Sequence, residues 1–439
     1  MSKPNANDSA WDKAFSSLDL LGPIRRQGWV DVTARDLREF REPRLMAKID
    51  YSSNRPKIFR EEDLNILALS SSHYRIGKFN VFHELPETLS PQPPITRVQL
   101  PVGIESLAFK GLTSESAVVT SAHAAGILDE FCGAELLLTS FGRMRTPSFH
   151  FSISGASGDR FELQVDSATI EIDAAYENSR ALHILEVKNH RPSDFNMRQL
   201  YYPFRTWKSK IKKPVQCVFM TFSNDVYDLH EISFQDSADF SSALIGNRQR
   251  FMVGEGTIRV QDLEEIAHRI AAMQDWNRAY RERIPFPQAD SFTRVVDLVT
   301  ILIERPMSVG DLSEHYGFDT RQSDYYYNAA RYLGLASSSK AARSETELRG
   351  PTPEAIKLFA EPYRSKFLAL ANLVLRIEPI NATFLLAQEQ GAKLDPRAVQ
   401  EIFARSDEAQ WLGYSASTIE RRSQTIIAWV HWLASIAEA

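Results

Sequence analysis

Apolar and polar positions alternate through the middle of the chain in a pattern that predicts strands flanked by helices. A helix is predicted from Thr113 or Ser114, as its N-cap, to Phe131, and a second from Ser193 to about Lys210, kinked at Pro203. Strands are predicted at 148–154, 160–165, 168–176, 182–188 and 215–222, with a hairpin turn at 177–179. The order of helix, three or four strands, helix and strand indicates an α+β (mixed α/β) fold.

Proline-rich breaks divide the chain into four segments. The strongest break is Leu85–Pro94, the second is Ile284–Pro287, and a weaker one lies at Gly350–Pro353. The predicted domains are therefore residues 1–94, 95–245, 246–350 and 351–439. The first contains a short helix-like segment, DVTARDLREF, with a capping residue near its start.

The last two segments carry a helical pattern typical of helix-turn-helix modules. Helices are predicted at 292–304, 308–316 and 320–333, followed by a wing-like loop to Arg349. A final helix is predicted with Ser417 as its cap, with Arg421 and Arg422 on its exposed side, and with Trp429 and Trp432 in a core or interface.

Composition narrows the class of protein. Of the 439 residues, 43% are apolar and 24% charged, and the formal net charge of −5 argues against bulk, sequence-blind coating of nucleic acid. The two cysteines, Cys132 and Cys217, exclude a disulfide framework and a cysteine-based zinc site. A polar N-terminus and the lack of a long apolar run indicate a cytoplasmic protein with no membrane span.

Charged residues interrupt two otherwise apolar strands. Because side chains alternate along a strand, Glu186 and Lys188 share one face, as do Glu171 and Asp173 on the preceding strand. If the strands pair, Asp173 meets Glu186 and Lys188. Buried charges are costly unless they are paired, hydrated or bound to a metal, so the cluster is a candidate functional site.

Metal-assisted phosphodiester hydrolysis is the chemistry that uses such a set. Asp173 and Glu186 supply hard oxygen ligands for Mg²⁺, which would activate water and neutralise charge during in-line attack. Lys188 would orient or deprotonate that water, with a pKa that burial pushes down, or hold the scissile phosphate. The structural alternative is a salt-bridged strand pair on a solvated face.

The segment IEIDAAYENSRALHILEVK resembles the signature of the PD-(D/E)XK nuclease superfamily, with Asp173, Glu186 and Lys188 at its three motif positions. Ile172 stands where the motif usually has proline. The segments at 41–59, 198–205 and 417–433 further resemble bacterial type II restriction endonucleases with extra helix-turn-helix parts. The resemblance implies Mg²⁺-dependent cleavage of double-stranded DNA at a short specific site. A homodimer and a companion DNA methyltransferase acting on the same site are expected with it.

Three more residues are candidates for this site. Glu115, early in the helix before the strands, could be an additional metal ligand, although an acid favoured by the helix dipole is the simpler interpretation. Gln199 could touch the substrate phosphate or the catalytic water. Glu171 is more simply a salt bridge at the rim.

Basic residues mixed with aromatic and polar ones predict contacts to DNA. Residues 25–60 carry a local charge of +5, and five basic residues fall within 205–213 beside Tyr201, Tyr202 and Trp207. Tyr51 and Ser52 are also expected to read bases or phosphates. Candidate contacts in the three regions are Arg41, Arg44, Lys48, Asn54, Arg55 and Lys57, then Arg205, Lys208 and Lys210, then Arg321, Gln322 and Tyr325, with Arg421 and Arg422 in the last helix.

A restriction endonuclease is the favoured interpretation. A modification-directed, repair or other defence nuclease would use the same catalytic residues. A non-catalytic winged-helix regulator with an inactive nuclease fold is the alternative from another class, but it gives no reason to keep three charges on buried strands.

Overall fold

The chain divides into two compact units in the computed structural model. Residues 6–86, 92–101, 103–104, 106–107, 112, 114–254, 256–282, 284–316, 320–340, 347–390 and 394–437 are described. The first unit comprises Met1–Thr96, Ser114–Phe222 and Val226–Phe251, and the second comprises Arg97–Thr113, Ser223–Asp225 and Met252–Ala439. The first two predicted segments fall largely in the first unit and the last two in the second, and the boundaries inside each unit stay predictions.

The N-terminal part of the first unit packs short helices on a small antiparallel sheet. Its helices are α1 (Ala6–Ser17), α2 (Leu21–Gln27), α3 (Ala34–Arg38), α4 (Pro43–Ala47) and α5 (Lys57–Glu61), and its strands are β1 (Trp29–Thr33), β2 (Asn65–Ala68), β3 (His73–Gly77) and β4 (Phe82–Glu84). The strand order is β1-β3-β2. Trp11 stacks edge-on against Phe59 and donates to the carbonyl of Met46 at 3.1 Å. The predicted short helix is α3, which begins with a capping box between Thr33 and Asp36.

A seven-stranded mixed sheet is the largest sheet of the first unit, which also contains two sheets of two strands each. The strands that follow are β5 (Ile95–Val98), β6 (Leu137–Arg145), β7 (Phe149–Ser154), β8 (Arg160–Val165), β9 (Thr169–Glu177), β10 (Leu182–Lys188), β11 (Asp194–Asn196), β12 (Val215–Ser223), β13 (Val226–Phe234) and β14 (Ala243–Val253), and the helices are α6 (Glu115–Ala124), α7 (Ile127–Cys132) and α8 (Arg198–Lys208). The sheet order is β5-β14-β13-β12-β10-β9-β6, and the two-stranded sheets are β4-β11 and β7-β8.

Strand β10 lies inside this sheet and every residue of it is buried. It pairs antiparallel with β9 and parallel with β12. A parallel pair requires a crossover connection, which here contains α8. Helices α6 and α8 both pack against β9 and β10. The predicted hairpin between β9 and β10 is confirmed.

Three of the predicted elements differ from the structure. The single helix predicted from 113 to 131 is two, because Gly126 takes a left-handed conformation between α6 and α7. Ser193 does not open α8, because residues 194–196 first pair with β4 as β11. Strands β7 and β8 form a separate hairpin sheet, and the neighbour of β9 is instead β6, whose largely exposed residues do not alternate cleanly.

The second unit is helical with one small sheet. Its elements are α9 (Val260–Met273), α10 (Phe292–Glu304), α11 (Val309–Tyr316), α12 (Thr320–Tyr332), β15 (Ala336–Lys340), β16 (Glu347–Pro351), α13 (Pro353–Phe359), α14 (Tyr363–Leu375), α15 (Glu378–Gln390), α16 (Pro396–Arg405), α17 (Asp407–Leu412) and α18 (Ala416–Ile436). Helices α10 to α12 and the antiparallel pair β15-β16 lie where the helix-turn-helix and the wing-like loop were predicted, although residues 317–319 and 341–346 lie outside the described ranges. Helix α18 is capped by Ser415 and not by Ser417. Trp429 and Trp432 are buried against Phe292, as expected of core residues.

The α+β fold class is confirmed, with 46% of the structure helical and 26% in strands. Within the described ranges, no single helix has the length and apolar composition to cross a membrane. Helix α14 and residues 378–389 of α15, bent by 107° at their junction, meet those two criteria only as a pair.

Candidate active site

The antiparallel pairing of β9 and β10 brings the predicted acids together where the two strands separate. The last paired residues are Ala174 and Leu185, so Asp173 and Glu186 occupy the next positions. There the side chain of Asp173 replaces the missing backbone partner, since its carboxylate accepts the backbone N–H of Val187 at 2.8 Å. Asp173 is thereby fixed beside the end of β10.

Lys188 connects two carboxylates in this cluster. Its ammonium nitrogen donates to Glu186 Oε1 at 2.6 Å and to Glu115 Oε1 at 3.1 Å. Lys188 and Glu186 are buried, whereas Glu115, in the first turn of α6, is 40% exposed. Helix α6 therefore does bring Glu115 to the site, and the structure places its carboxylate on the lysine.

Gln199 reaches the same cluster from the first turn of α8. Its amide nitrogen donates to Glu186 Oε1, so its contact in this structure is with an acid of the site. Its amide oxygen is buried, and no described residue donates to it. An acceptor without a donor beside a carboxylate is a place where water or a cation would be stabilised.

The electrostatics of the cluster show a shortage of positive charge. Burial raises the pKa of Asp173 to about 6 and that of Glu186 to about 8, and Lys188 offsets only part of this effect. Burial also acts to lower the pKa of Lys188, but its acidic neighbours outweigh burial and hold that pKa well above its ordinary value. The prediction that burial lowers the pKa of Lys188 is therefore wrong, because it left out how closely Glu186 and Glu115 approach.

Asp173 and Glu186 are the residues of this cluster that could hold a divalent cation. Asp173 and Glu186 are hard oxygen donors in a desolvated site, and Mg²⁺ commonly binds one or two carboxylates while keeping several waters. Among the described residues, no group of three or more His, Cys, Asp and Glu side chains is arranged to hold a metal ion. The fit consequently rests on Asp173 and Glu186, with Glu115 held by Lys188.

Tyr51 lies inside the protein and not on its surface. It was expected to contact DNA, but it is buried and its ring lies 5.3 Å from that of His190, two residues after Lys188. Ser52 is likewise engaged, because its backbone N–H donates to Asp194 at 2.8 Å. The sequence feature that indicates burial of Tyr51 is its spacing of two residues from the apolar Ile49, within a segment that is otherwise basic and polar.

The N-terminal candidates for DNA contact divide into exposed and paired residues. Arg44, Lys48 and Lys57 are exposed, and the two lysines lie 3.5 Å from Asp50 and Glu61 respectively. Arg41 and Asn54 are half-buried. Arg55 is half-buried too and bonds to Asp63 at 3.2 Å. The exposed three are the better placed for phosphate contacts.

The basic residues at the end of α8 and just after it are similarly divided. Lys208 and Lys210 are exposed, and their ammonium groups lie 5.5 Å and 5.2 Å from the ring centroids of Phe204 and Trp207. Arg205 instead lies over the ring of Phe149 at 4.7 Å and donates to the carbonyl of His150. Phe204 and Phe149 are buried and Trp207 is half-buried, so this region presents its positive charges at the surface more than its rings.

The remaining candidates lie in the second unit. Gln322 is exposed and Tyr325 half-buried on α12, while the side chain of Arg321 lies outside the described residues. Arg421 is exposed on α18. Arg422 was expected to be exposed as well, but it is buried, with its guanidinium 4.2 Å from the ring centroid of Tyr414. Neighbouring residues of a helix point about 100° apart, so Arg421 can face solvent while Arg422 faces the protein.

The fold and site together define a mixed α/β protein with a buried carboxylate and lysine centre. Three family models match parts of the chain, each a domain of unknown function: DUF6996 over residues 8–76, DUF6997 over 77–252 and DUF7226 over 294–438. No curated protein and no solved structure matches the chain. Glu115, Asp173, Glu186, Lys188 and Gln199 all lie within the DUF6997 match, and Tyr51 within the DUF6996 match.

Proposed function

We propose that this protein is a Mg²⁺-dependent endonuclease that cleaves double-stranded DNA. The observation that carries the proposal is the buried cluster at the end of β10, in which Lys188 bridges Glu186 and Glu115 while Asp173 is held beside them. A purely structural ion pair does not need a surplus of buried acid, whereas a site that binds a cation and a phosphodiester does.

Each residue of the cluster has a distinct role in this proposal. Asp173 and Glu186 would hold Mg²⁺, which supplies Lewis-acid activation of the phosphodiester and of water. Lys188 stays protonated and holds a non-bridging phosphate oxygen, the second of the two roles that its sequence position suggests. Gln199 fixes the orientation of Glu186 through its amide N–H. Glu115 keeps the ammonium of Lys188 directed into the site.

DNA is the substrate that the surrounding surface favours. Lys208 is exposed at the end of α8 and Lys210 just after it, and Arg44 and Lys48 are exposed on α4 and just after it. Such groups neutralise phosphates and position a duplex without reading its sequence. The winged helix of the second unit adds a module of a type that reads DNA or mediates dimerisation.

Restriction of foreign DNA is the biological setting we propose, by resemblance to type II restriction endonucleases. In this setting a cytoplasmic homodimer cuts both strands at a short specific site, and a companion methyltransferase protects the same site in host DNA. The winged helix is the observation that favours a second candidate, a DNA-binding regulator that does not cut.

Digestion of unmodified phage DNA by the purified full-length protein tests the proposal. With Mg²⁺ we expect discrete fragments, with EDTA none, and with Asp173→Asn or Lys188→Met a loss of at least about 10³-fold in rate, equivalent to about 4 kcal/mol of transition-state stabilisation. Glu171→Gln is the matched control, because Glu171 lies on the same strand but bonds to Arg143 at the exposed rim.

The alternatives give different results in the same assay. A smear of fragments, or cutting only of methylated DNA, would favour a nuclease of another biological role. Binding of DNA without cleavage in Mg²⁺, Mn²⁺ or Ca²⁺, unchanged by both variants, would contradict the nuclease proposal and favour the regulator.

A further inference from the structure

The edge strand β6 of the seven-stranded sheet carries exposed apolar and basic side chains. Phe141 is 72% exposed and Leu137 is 67% exposed, and Arg143 and Arg145 are exposed on the same strand. Within the described residues β6 has a strand neighbour on one side only, which is β9. Single exposed apolar side chains are common, so the groups that surround Phe141 decide whether it has a function.

The strand register places Phe141 next to the candidate metal ligand Asp173. On β6 a single residue lies between two paired positions, whereas two residues lie between their partners on β9. The flanking pairs are Ser140 with Ala175 and Gly142 with Ile172. Phe141 consequently opposes both Asp173 and Ala174, which is the pattern of a β-bulge. Bulges are frequent next to active sites, where they redirect a side chain.

Strand β6 extends from Phe141 in the direction in which the candidate site opens. The pairing of β9 with β10 ends at Ala174, next to Asp173. Strand β6 continues along β9 beyond this point, and its last residue, Arg145, is aligned with Thr169. Arg145 therefore lies four residues from Asp173 along the sheet, a distance of about 13 Å that corresponds to about four base-pair steps of B-DNA.

The charges of this strand favour an anionic partner. Arg143 lies 3.1 Å from Glu171, so these two exposed side chains offset each other. Arg145 is exposed too, and its side chain forms no ion pair or hydrogen bond with the part of the chain that the structure describes. Its guanidinium is therefore available to an external anion. DNA offers both phosphates for such a cation and sugar and base edges for an apolar ring.

We propose that the part of β6 from Phe141 to Arg145 is a DNA-contact surface beside the scissile phosphate. Phe141 packs against the sugar and base next to that phosphate, and Arg145 binds a phosphate a few nucleotides away. This inference rests on the proposed nuclease function. It adds to the exposed basic residues of α4 and α8 a contact that directly adjoins the candidate metal ligand Asp173.

A second copy of the chain is the other occupant that an edge strand could take, because an unpaired edge can extend a sheet. Two features of β6 oppose such pairing. Its register with β9 shifts twice, and Gly142 takes a left-handed conformation with a φ of 86°. Irregularities of this kind interrupt the backbone ladder that a second strand needs. DNA needs no such ladder, so it fits this edge better.

Phe141→Ala and Arg145→Ala test the surface in the full-length protein. DNA affinity is measured in Ca²⁺ over a range of salt concentrations, and single-turnover cleavage of phage DNA is measured in Mg²⁺. Phe141→Ala should weaken binding at least about fivefold without changing its salt dependence, because it removes an apolar contact. Arg145→Ala should reduce the slope of log K against log salt by about 1, because it removes one phosphate contact.

Leu137→Ala and Arg180→Ala are the matched controls. Leu137 is nearly as exposed on β6 as Phe141 but is aligned with Glu177, and Arg180 is exposed in the turn between β9 and β10. Both lie at the end of these strands that is away from the candidate site. Their DNA affinity should stay within twofold of wild-type, with an unchanged salt slope. The unfolding midpoint of all four variants should stay within about 2 °C of wild-type, because each changes an exposed side chain.

The outcomes separate this inference from the proposed function and from self-association. If wild-type binds DNA but cleaves none, the nuclease proposal fails, and the affinities still decide whether β6 contacts DNA. Affinities of Phe141→Ala and Arg145→Ala within twofold of wild-type, with an unchanged salt slope, would overturn the inference. Loss of self-association in Phe141→Ala, measured by sedimentation, with unchanged DNA affinity would assign the strand to a second copy and overturn it as well.

Discussion

Two buried charged clusters lie in the first unit, and they differ in how charge is balanced. The cluster at the end of β10 holds three carboxyl groups around one ammonium. In the other, Asp228 of β13 accepts from Arg191 and Arg248, and His230 lies 3.1 Å away. In the first cluster the carboxyl groups outnumber the cations, and in the second the cations outnumber the single carboxylate.

The pKa values of the buried acids reflect this difference. Burial raises the pKa of Asp173 to about 6, with little compensation. Burial acts in the same direction on Asp228, but the guanidinium of Arg248, which donates to it, together with the nearby His230 and Arg191, outweighs burial and holds the pKa of Asp228 far below its usual range. An acid whose charge is balanced by neighbouring cations is the property of a structural network, while a surplus of buried acid leaves a site for a cation.

The largest expected effect comes from breaking the balanced cluster. Asp228→Asn leaves Arg191 and Arg248 buried without a counter-charge, so we expect the free energy of unfolding to fall by about 3–5 kcal/mol. Urea unfolding followed by tryptophan fluorescence measures it. The comparison would be contradicted if Asp228→Asn were neutral.

Glu186→Gln is the matching change in the other cluster. It removes one acidic group and keeps an oxygen for Lys188 and Gln199 to donate to, so in metal-free buffer the free energy of unfolding should change by less than about 1 kcal/mol or increase. A loss as large as that of Asp228→Asn would show that the two clusters are alike.

Asp297 sharpens the comparison, because it is a buried acid whose neighbours are hydrogen-bond donors and not other carboxylates of a cluster. Burial raises its pKa to about 7, although Ser223 and Asn224 donate hydrogen bonds to it. Between pH 4 and pH 7 the folded protein holds a proton that the unfolded chain releases, so stability contributed by this group falls as the pH rises.

Asp297→Asn should remove that dependence. Relative to wild-type, its free energy of unfolding should improve by about 2–3 kcal/mol between pH 5 and pH 8. Urea unfolding at both pH values tests this. An equal difference between variant and wild-type at both pH values would show that Asp297 has an ordinary pKa.

Exposed charges should affect binding more than folding. Lys208→Ala with Lys210→Ala should weaken DNA binding about tenfold near 0.1 M salt and reduce the slope of log K against log salt by about 2. Lys213→Ala is the control, because Lys213 already bonds to Glu177 at 2.5 Å. An unchanged slope in the double variant would exclude this segment from the interface.

The smallest effect is expected at the rim of the same strand that carries Asp173. Glu171 bonds to Arg143 at 3.1 Å, and both side chains are more than half exposed. Glu171→Gln should change the free energy of unfolding by less than about 0.5 kcal/mol, as is usual for an exposed pair. A larger loss in the same unfolding assay would mean that the exposed Glu171–Arg143 pair contributes to stability as a buried pair does.

The sequence predicted the elements with strong periodicity or clear caps. The strands at 160–165 and 182–188, Ser114 as a cap, and the winged-helix elements were predictable because their burial pattern or capping residue is local. Strand β6 was missed because an edge strand with exposed Leu137 and Phe141 has no clear alternation.

The residues of the candidate site were predictable from the sequence only where the pairing of two neighbouring strands brings them together. Parity along β9 and β10 was enough to join Asp173, Glu186 and Lys188. Tyr51 could not be placed, because its position depends on hydrogen bonds to Asp194 and Asn196, more than 140 residues away. The pKa of Lys188 likewise depends on acids that pairing and helix packing bring to it.

Cation binding tests the central claim most directly, because it does not depend on knowing the DNA site. Bound Mn²⁺ is counted by electron paramagnetic resonance in wild-type, in the Asp173→Asn and Glu186→Gln double variant, and in Asp297→Asn as a control. The unbalanced cluster predicts a site that is present in wild-type and in Asp297→Asn and lost in the double variant. Equal Mn²⁺ binding by all three proteins would contradict it.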